Sequence, residues 1–297
     1  LMSSANAGGF INSSQSTVFN GLAYAGAAAG GSTSAATMFY NPATMTSFRG
    51  FTIDSNYTFG MPTAKTTGSL TGGAFAGFNA LPGSGSYDKD YFVPATYLVY
   101  QINNNWWAGL SINSTYGNQT KADRLWRGSL AASTTKLRVI TATPSVAYRI
   151  NDMISIGAGM QIQYASARQT VRYPGGPAAP LAGIVDADGW AVGFTLGATI
   201  TPVKGTEIGI GWRSFTDQEI EGTTQFGPGI STTSNGKLNL PNRVNLSLRQ
   251  TINPKLDMLA SVEWQNWGRI GHARLNNPAP GMSPVLPFGY DDGWFFS

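Results

Sequence analysis

From Phe51 onward the chain alternates apolar and polar positions with a period of two. In 190–200 one face carries Trp190, Val192, Phe194, Leu196, Ala198 and Ile200, and the other Ala191, Gly193, Thr195, Gly197 and Thr199. Segment 154–164 sets Ile154, Ile156, Ala158, Met160, Ile162 and Tyr164 against Ser155, Gly157, Gly159, Gln161 and Gln163. Segments 138–150 and 256–264 behave alike, and weaker copies lie near 51–59, 92–102, 106–116, 206–215 and 242–252. Period-two alternation puts successive side chains on opposite faces of a strand. The pattern predicts nine strands, with the start of a tenth at 289–297.

These runs have the ~9–11 residues that a tilted strand needs to cross a bilayer. The connections alternate in length. Short turns fall at Asn103–Asn105, Asn151–Asp152, Pro202–Gly205 and Asn253–Lys255. Long connections, rich in Gly, Ser, Thr and Pro, are predicted over 60–91, 117–136, 173–187, 217–240 and 271–289. Short turns at one rim and long loops at the other are the pattern of an outer-membrane barrel. Aromatic residues such as Tyr57, Tyr100, Trp106, Tyr148, Tyr164, Trp190, Trp212 and Trp264 sit at strand ends, where interfacial girdles would place them. General β-propensity of aromatics explains part of the same distribution.

Composition agrees with the pattern. Only 11% of the 297 residues are charged, well below the ~25% of an ordinary soluble domain. Gly is frequent, with 37 residues, and aromatics make up 12%. The mean hydropathy of −0.10 excludes a bundle of apolar helices, and no uninterrupted apolar window of ~18–20 residues offers a transmembrane helix. With no cysteine there are no disulfides, thiolate metal sites or Cys nucleophiles. The net charge is +4 from 19 scattered Lys and Arg, and no basic run marks a nucleic-acid patch.

The N-terminal region reads differently. Ala5-Asn6-Ala7 fits the small-residue pattern of a signal-peptide cleavage site. Residues 1–7 are therefore expected to be a signal-peptide remnant, with a mature start at Gly8-Gly9-Phe10. Residues 8–48 are small-residue-rich from Gly21 to Ala36 and run into Thr37-Met38-Phe39-Tyr40-Asn41-Pro42-Ala43-Thr44-Met45. The chain stops inside an alternating segment. An open barrel leaves unpaired backbone groups facing lipid, so a C-terminally truncated barrel over 49–297 is expected.

A small N-terminal plug ending in Asn41-Pro42-Ala43, followed by these strands, resembles the FadL-type outer-membrane transporters of long-chain fatty acids and other hydrophobic compounds. Further matches in order are Gly8-Gly9-Phe10, Ala23–Gly31, Ser111–Gly117, Ala147–Asn151, Leu238–Pro241 and Val262–Trp267. The resemblance implies an all-β fold: a transmembrane antiparallel β-barrel of fourteen strands, of which nine to ten are present here, plugged by an N-terminal hatch. It implies uptake of a hydrophobic molecule with sideways release into the bilayer through a kink in the third strand. Ser114, Tyr116 and Gly117 are the kink candidates, although Gly117 also reads as a loop start. It implies Arg172 and Arg274 as cations for a substrate carboxylate, where the alternative is rim arginines facing water or lipopolysaccharide. Leu125, Trp126 and Leu181 are candidates for an outer groove, and Phe10 for entry into an inner pocket.

Catalysis finds no support. His272, the only histidine, has no carboxylate or nucleophile suggested around it. No cofactor or metal is expected. The expected partners are a long-chain fatty acid or other hydrophobic ligand, outer-membrane lipid and lipopolysaccharide, the chain acting as a monomer. An aromatic-hydrocarbon channel keeps the same fold. A general porin for polar solutes would lack the hatch and line its lumen with charge.

Overall fold

The computed structural model describes residues 10–68, 81–86, 89–121, 126, 134–172, 181–226, 231–276, 285–287 and 289–297. Two short helices come first, α1 (Thr17–Gly21) and α2 (Thr37–Tyr40), then a 3-10 turn at Pro42–Ser47. The strands are β1 (Phe51–Gly60), β2 (Lys65–Thr67), β3 (Ser84–Ser86), β4 (Tyr91–Gln101), β5 (Trp106–Lys121), β6 (Thr134–Arg149), β7 (Ile154–Arg172) and β8 (Leu181–Val203). They continue with β9 (Thr206–Arg213), β10 (Thr216–Phe226), β11 (Ser231–Leu240), β12 (Arg243–Asn253), β13 (Leu256–Gln265), β14 (His272–Asn276), β15 (Val285–Pro287) and β16 (Gly293–Phe296). Among the described residues no helix is long and apolar enough to cross a membrane.

Apart from the β2–β3 hairpin, all strands join one antiparallel sheet of 14 strands. From β1 it runs through β4, β5, β6 and β7 to β8, pairing neighbour with neighbour. At β8 the sheet divides. The lower half of β8 pairs with β9, followed by β12, β13 and β16. The upper half pairs with β10, followed by β11, β14 and β15. Each lower strand and its upper counterpart form one crossing interrupted at a similar height, at 214–215, 241–242, 266–271 and 289–292. These give ten crossings in all, the nine strands and the tenth start that the alternation predicts.

The long connections differ from expectation. Parts of 117–136, 173–187, 217–240 and 271–289 are strand, since β5, β6, β8, β10, β11 and β14 all reach into them. Leu238–Leu240, expected ahead of the eighth strand, lies inside its upper half, and His272 and Arg274 lie in β14 rather than in a loop. The segments read as loops because they are rich in Thr, Ser, Asn and Gly. Cross-strand pairing overrides that low intrinsic preference.

The burial pattern shows which solvent each face meets. On the lower parts of the strands the exposed outer face carries Ile156, Met160, Trp190, Val192, Phe194, Leu196, Ile208, Ile210 and Leu246. The buried inner face of the same strands carries Ser111, Thr141, Thr143, Ser145, Gln161, Gln163, Thr195, Arg213, Asn245, Ser247 and Glu263. Apolar outside and polar inside is the reverse of a soluble barrel and is what lipid demands. On β7 the outer apolar run from Ile154 to Tyr164 spans ten rises. At ~3.4 Å each and a tilt of ~40° this covers about 26 Å, the height of the apolar band on such barrels. Ring pairs mark both of its borders: Trp106 with Tyr148 at 4.7 Å at the short-turn rim, and Tyr164 with Trp190 at 5.0 Å at the other.

Above Tyr164 and Trp190 the faces exchange character. The outer positions become Arg138 and Lys136 on β6, Ser166 and Arg168 on β7, Asp188 and Asp186 on β8, Glu219 and Glu221 on β10 and Lys237 on β11. The inner positions become apolar: Val139, Ala165, Val185, Ala187, Leu238 and Leu240 are all buried. The strands therefore follow membrane logic below this level and soluble-protein logic above it. The four interruptions lie at the change.

Candidate functional site

Residues 10–48 lie against the inner face of the sheet and fill its lower, polar tier. Small residues make this possible. Ala27, Ala28, Ala29, Ala35, Ala36 and Ala43 are completely buried. The inner wall supplies matching hollows. A Cβ on Gly197 would stand 1.9 Å from Asn41 Oδ1, and one on Gly211 would stand 1.8 Å from the Tyr40 carbonyl oxygen. Gly157 and Gly209 receive the backbone of Pro42–Ala43 and of Ala28 in the same way.

Asn41 joins these pieces. Its Oδ1 accepts from Ala43 N at 2.9 Å and caps the 3-10 turn, with Pro42 at the first position where no amide hydrogen is needed. Its Nδ2 donates to the carbonyl of Ala28 at 2.8 Å and to that of Ala198 on β8 at 2.9 Å. The turn, the upstream segment and the wall thus meet at one side chain.

Much of the wall's grip is on backbone. Arg213 donates to the Phe39 carbonyl at 3.1 Å, Arg149 donates to that of Thr46 and Arg249 to that of Gly31. Trp107 Nε1 donates to the Phe48 carbonyl at 2.8 Å. Ser247 and Ser261 accept from the amides of Ala28 and Gly26 at 3.0 and 2.9 Å.

Charge in the lumen is sparse and organised. Arg243 and Glu263 form a buried ion pair at 2.7 Å, with Asn245 donating to the other carboxylate oxygen at 3.0 Å. Arg213, also buried, donates to Gln161 Oε1 at 2.7 Å and lies 4.4 Å above the Phe39 ring. Thr216 and Gln218 each donate to Gln163 Oε1 at 2.8 Å. A cavity of about 350 Å³ separates Asn12, Tyr24 and Tyr40 of the N-terminal segment from Arg243, Glu263 and Phe295 of the wall. Burial raises the Tyr24 hydroxyl to about 12 and holds that of Tyr40 well above its ordinary value.

The upper tier is apolar. Phe10 reaches it and packs edge-on against Trp267 at 5.2 Å and Tyr116 at 6.2 Å. Tyr116 and Trp267 contact each other at 6.4 Å, and Tyr290 adds an edge contact to Trp267 at 5.6 Å. Val139, Ala165, Leu238, Leu240 and Ile270 complete the cluster.

The wall is interrupted beside this cluster. The β4–β5 ladder ends at Ala95 and Asn113, yet β4 continues up to Tyr91 and β5 up to Lys121. On its other side β5 stays paired with β6 as far as Lys121, with one bulge between Ser114 and Tyr116. The N-terminal segment occupies part of the vacated edge. Ile11 bridges Tyr116, Asn12 N donates to Thr115 O at 3.0 Å, and Gly117 N donates to Phe10 O at 2.9 Å. Gln15 Nε2 donates to Ser114 O at 2.8 Å, and the Tyr97 hydroxyl donates to Gln15 O at 2.8 Å.

The expected site residues therefore separate into four groups. Phe10, Tyr116 and Gly117 meet at the aromatic cluster and the ladder end, with Ser114 just below them. Asn41, Pro42 and Ala43 dock the lower tier. Trp126 is buried against the β2–β3 hairpin, above Gly85, rather than beside Phe10. The backbones of Arg172 and Leu181 are ladder partners at the top of β7 and β8, and that of Arg274 faces Lys237 and Val285. Leu125 lies outside the described residues. Sequence reasoning missed Arg213, Arg243, Glu263, Gln161, Gln163 and Trp267. Strand parity would have found most of them, as amide or charged residues at inward positions of otherwise small-residue faces.

A sheet with an apolar exterior band, a polar interior and an N-terminal segment packed into that interior defines a plugged outer-membrane β-barrel. The sequence matches the family described as "Outer membrane protein transport protein (OMPP1/FadL/TodX)" over residues 1–297. The chain belongs to this family. It is 27% identical to a long-chain fatty acid transport protein of Escherichia coli O6:H1, across 78% of this chain and 50% of that one. It is 24% identical to outer membrane protein P1 of Haemophilus influenzae, across 90% and 67%. The chain thus spans about half the length of the first of these relatives. Its fold resembles that of a Pseudomonas aeruginosa FadL homologue, with a TM-score of 0.76 at 21% identity, covering 97% of this chain and 76% of that one. It also resembles the Ralstonia pickettii toluene transporter TbuX, with a TM-score of 0.63 at 18% identity, covering 91% and 79%.

Proposed function

We propose that this chain forms an outer-membrane uptake channel for long-chain fatty acids or similarly hydrophobic molecules, released sideways into the bilayer. The observation that carries the reading is the coincidence of the apolar upper tier with the end of the β4–β5 ladder at Asn113. An apolar solute in that tier has a polar, hatch-filled tier below it and an interrupted wall beside it. Crossing the polar tier would expose it to amides and charges, whereas sideways exit keeps it out of water. Residues 8–48 act as the hatch and 49–297 as the barrel. The channel performs no catalysis and works as a monomer, in contact with outer-membrane lipid and lipopolysaccharide. Arg172 and Arg274 supply cations for a carboxylate, Leu125, Trp126 and Leu181 form the outer groove, and the ladder end near Ser114–Gly117 is the exit.

The reading is tested by locking the ladder end. Ile11 and Tyr116 form a non-hydrogen-bonded antiparallel pair, because the bonds around them run between their neighbours. Such pairs have Cα atoms about 4.5 Å apart, inside the disulfide range of about 4.4–6.8 Å. The chain has no other cysteine. Oxidised Ile11→Cys/Tyr116→Cys protein should bind oleate and fail to pass it to the bilayer, and reduction should restore transfer. Normal transfer by the oxidised protein refutes the exit.

A second reading, a channel for aromatic hydrocarbons, is favoured by the rings of Tyr116, Trp267 and Tyr290 around Phe10. Competition between toluene and oleate for the purified protein separates the two. Tight oleate binding that Arg172→Ala weakens roughly ten-fold, the loss of one charge-assisted hydrogen bond, supports the acid. Toluene binding without such an effect supports the hydrocarbon.

A further inference from the structure

We infer that the outer face of β5–β7, just above the aromatic border of the membrane band, binds the phosphate-bearing headgroups of outer-leaflet glycolipid. The surface begins one rung above the Ile140–Tyr164–Trp190 row and is therefore continuous with the lipid-covered wall. Strand parity points Arg138 and Lys136 of β6, Arg168 of β7 and Lys121 of β5 to this exterior, and all four are exposed. Arg138 stands opposite Gly117 and Ser166, while Lys136 stands opposite Gln119 and Arg168. Neighbouring strands lie about 4.8 Å apart and alternate residues about 6.8 Å apart along a strand, so the three β6–β7 cations fall within one phosphate group's reach of each other.

Two features argue for an anion here. Like charges directly opposite in a ladder are destabilising, yet Lys136 faces Arg168. Among the described residues neither Lys136 nor Arg138 has a carboxylate within ion-pair distance; Arg168 alone has one, Asp186, at 3.0 Å with both side chains about half exposed. The opposing charges are segregated. Asp186 and Asp188 lie on β8, and Asp217, Glu219 and Glu221 on β10, beyond the cationic strands, where Lys237 and Arg269 pair with Glu219 and Asp217. Lys136 and Arg138 therefore present charge that no described carboxylate pairs, at the depth where a lipid phosphate sits. The partner is the phosphorylated lipid anchor of lipopolysaccharide, whose acyl chains would cover Val146, Met160 and Phe194 directly below.

The test uses the full chain in neutral phospholipid vesicles containing a minor fraction of diphosphorylated or fully dephosphorylated lipid A. Lipid retained per protein is read by native mass spectrometry after gentle extraction, alongside energy transfer from protein tryptophan to labelled lipid. Wild type should retain the phosphorylated form preferentially. A cation near a charged membrane surface is worth roughly five-fold in binding. Lys136→Gln and Arg138→Gln should each lower the preference by about that factor, and the pair by roughly twenty-fold, whereas Lys136→Arg/Arg138→Lys should retain it. Lys204→Gln/Lys255→Gln at the opposite rim is the control. Equal retention of both lipids, no effect of the Gln pair, or an equal loss in the opposite-rim control overturns the proposal. Oleate transfer measured on the same samples should be unchanged, which separates failure of this site from failure of the transport reading.

Discussion

Asn41→Ala offers a direct measure of how the N-terminal segment is held. The substitution removes two donations from Nδ2, to Ala28 O and Ala198 O, and the acceptance from Ala43 N. Ala198 belongs to the β8 ladder, so its carbonyl keeps other options. Ala28 O and Ala43 N are buried with the segment and lose a partner outright. A hydrogen bond contributes about 1 kcal/mol net, and each orphaned buried group costs about 1–3 kcal/mol. With two groups orphaned the loss is at least about 2 kcal/mol, confined to residues 26–48 because the wall keeps its own ladders. Hydrogen exchange in detergent reads this locally. The amides of 36–46 should exchange at least roughly thirty-fold faster, while those of β6 to β8 hold their protection. Gly197→Ala tests the same contact from the wall, since its Cβ would press within 1.9 Å of Asn41 Oδ1, and should loosen the same amides. Unchanged exchange over 36–46 in both variants, or loss of protection across β6–β8, would refute the docking argument.

The other predictions address separate contacts. Arg243→Met leaves Glu263 buried without its cation and should lower barrel stability by about 3–5 kcal/mol, whereas Arg243→Met/Glu263→Leu should recover most of it; thermal unfolding in detergent distinguishes the two. Phe10→Ala removes the edge contacts to Trp267 and Tyr116 and should cost about 3–5 kcal/mol of local docking, seen as faster proteolysis before Thr17 with an unchanged barrel melt. Tyr24 is held protonated, its hydroxyl raised to about 12 by burial. Its contribution is intact below pH about 10 and is lost as pH rises towards 12, so exchange of the 20–28 amides should accelerate over that window and not between pH 5 and 9.

The strands were legible because lipid imposes a strict rule on their outer face. In β7 and β8 every second residue across the band must be apolar, and the alternation of 154–164 and 190–200 states that openly. The interruptions were not legible. Ser214-Phe215 breaks a strand with no Pro or Gly between Arg213 and Thr216, while Pro241, which does signal a break, also reads as the boundary of a loop. The upper halves of β10 and β11 were hidden for a similar reason. Thr223, Thr224, Thr232 and Thr233 pair across the hairpin, yet their composition is that of a loop until a partner strand is supplied. In the site, Asn41-Pro42-Ala43 was legible as a turn, but its anchoring glycines were not. Gly157, Gly197, Gly209 and Gly211 come from three strands, and only the fold lines them up against one segment.

The exchange of faces along the strands has a consequence for where cargo can leave. Below the Tyr164–Trp190 row the inner wall of β6 to β9 is polar, and the apolar inner face of β4 and Trp107 is already covered by Phe19, Met38, Phe39 and Met45 of the N-terminal segment, so a bound apolar molecule gains nothing by descending. Above it the outer wall is charged, and exit there would release the molecule into the headgroup layer or water. At the change itself the apolar upper tier and the apolar exterior stand on the two sides of the same wall. The β4–β5 ladder ends there, at Asn113, with the exposed Ile112 just below it on the outside and Tyr116 just above it on the inside. An added positive charge at Ile112 should therefore obstruct release more than one at Val146, which is exposed in the same band but lies on β6, with β5 between it and the β4–β5 ladder end. In vesicle transfer assays Ile112→Lys should slow oleate delivery severely and Val146→Lys only slightly. Equal effects of the two would mean that the ladder end is not the door.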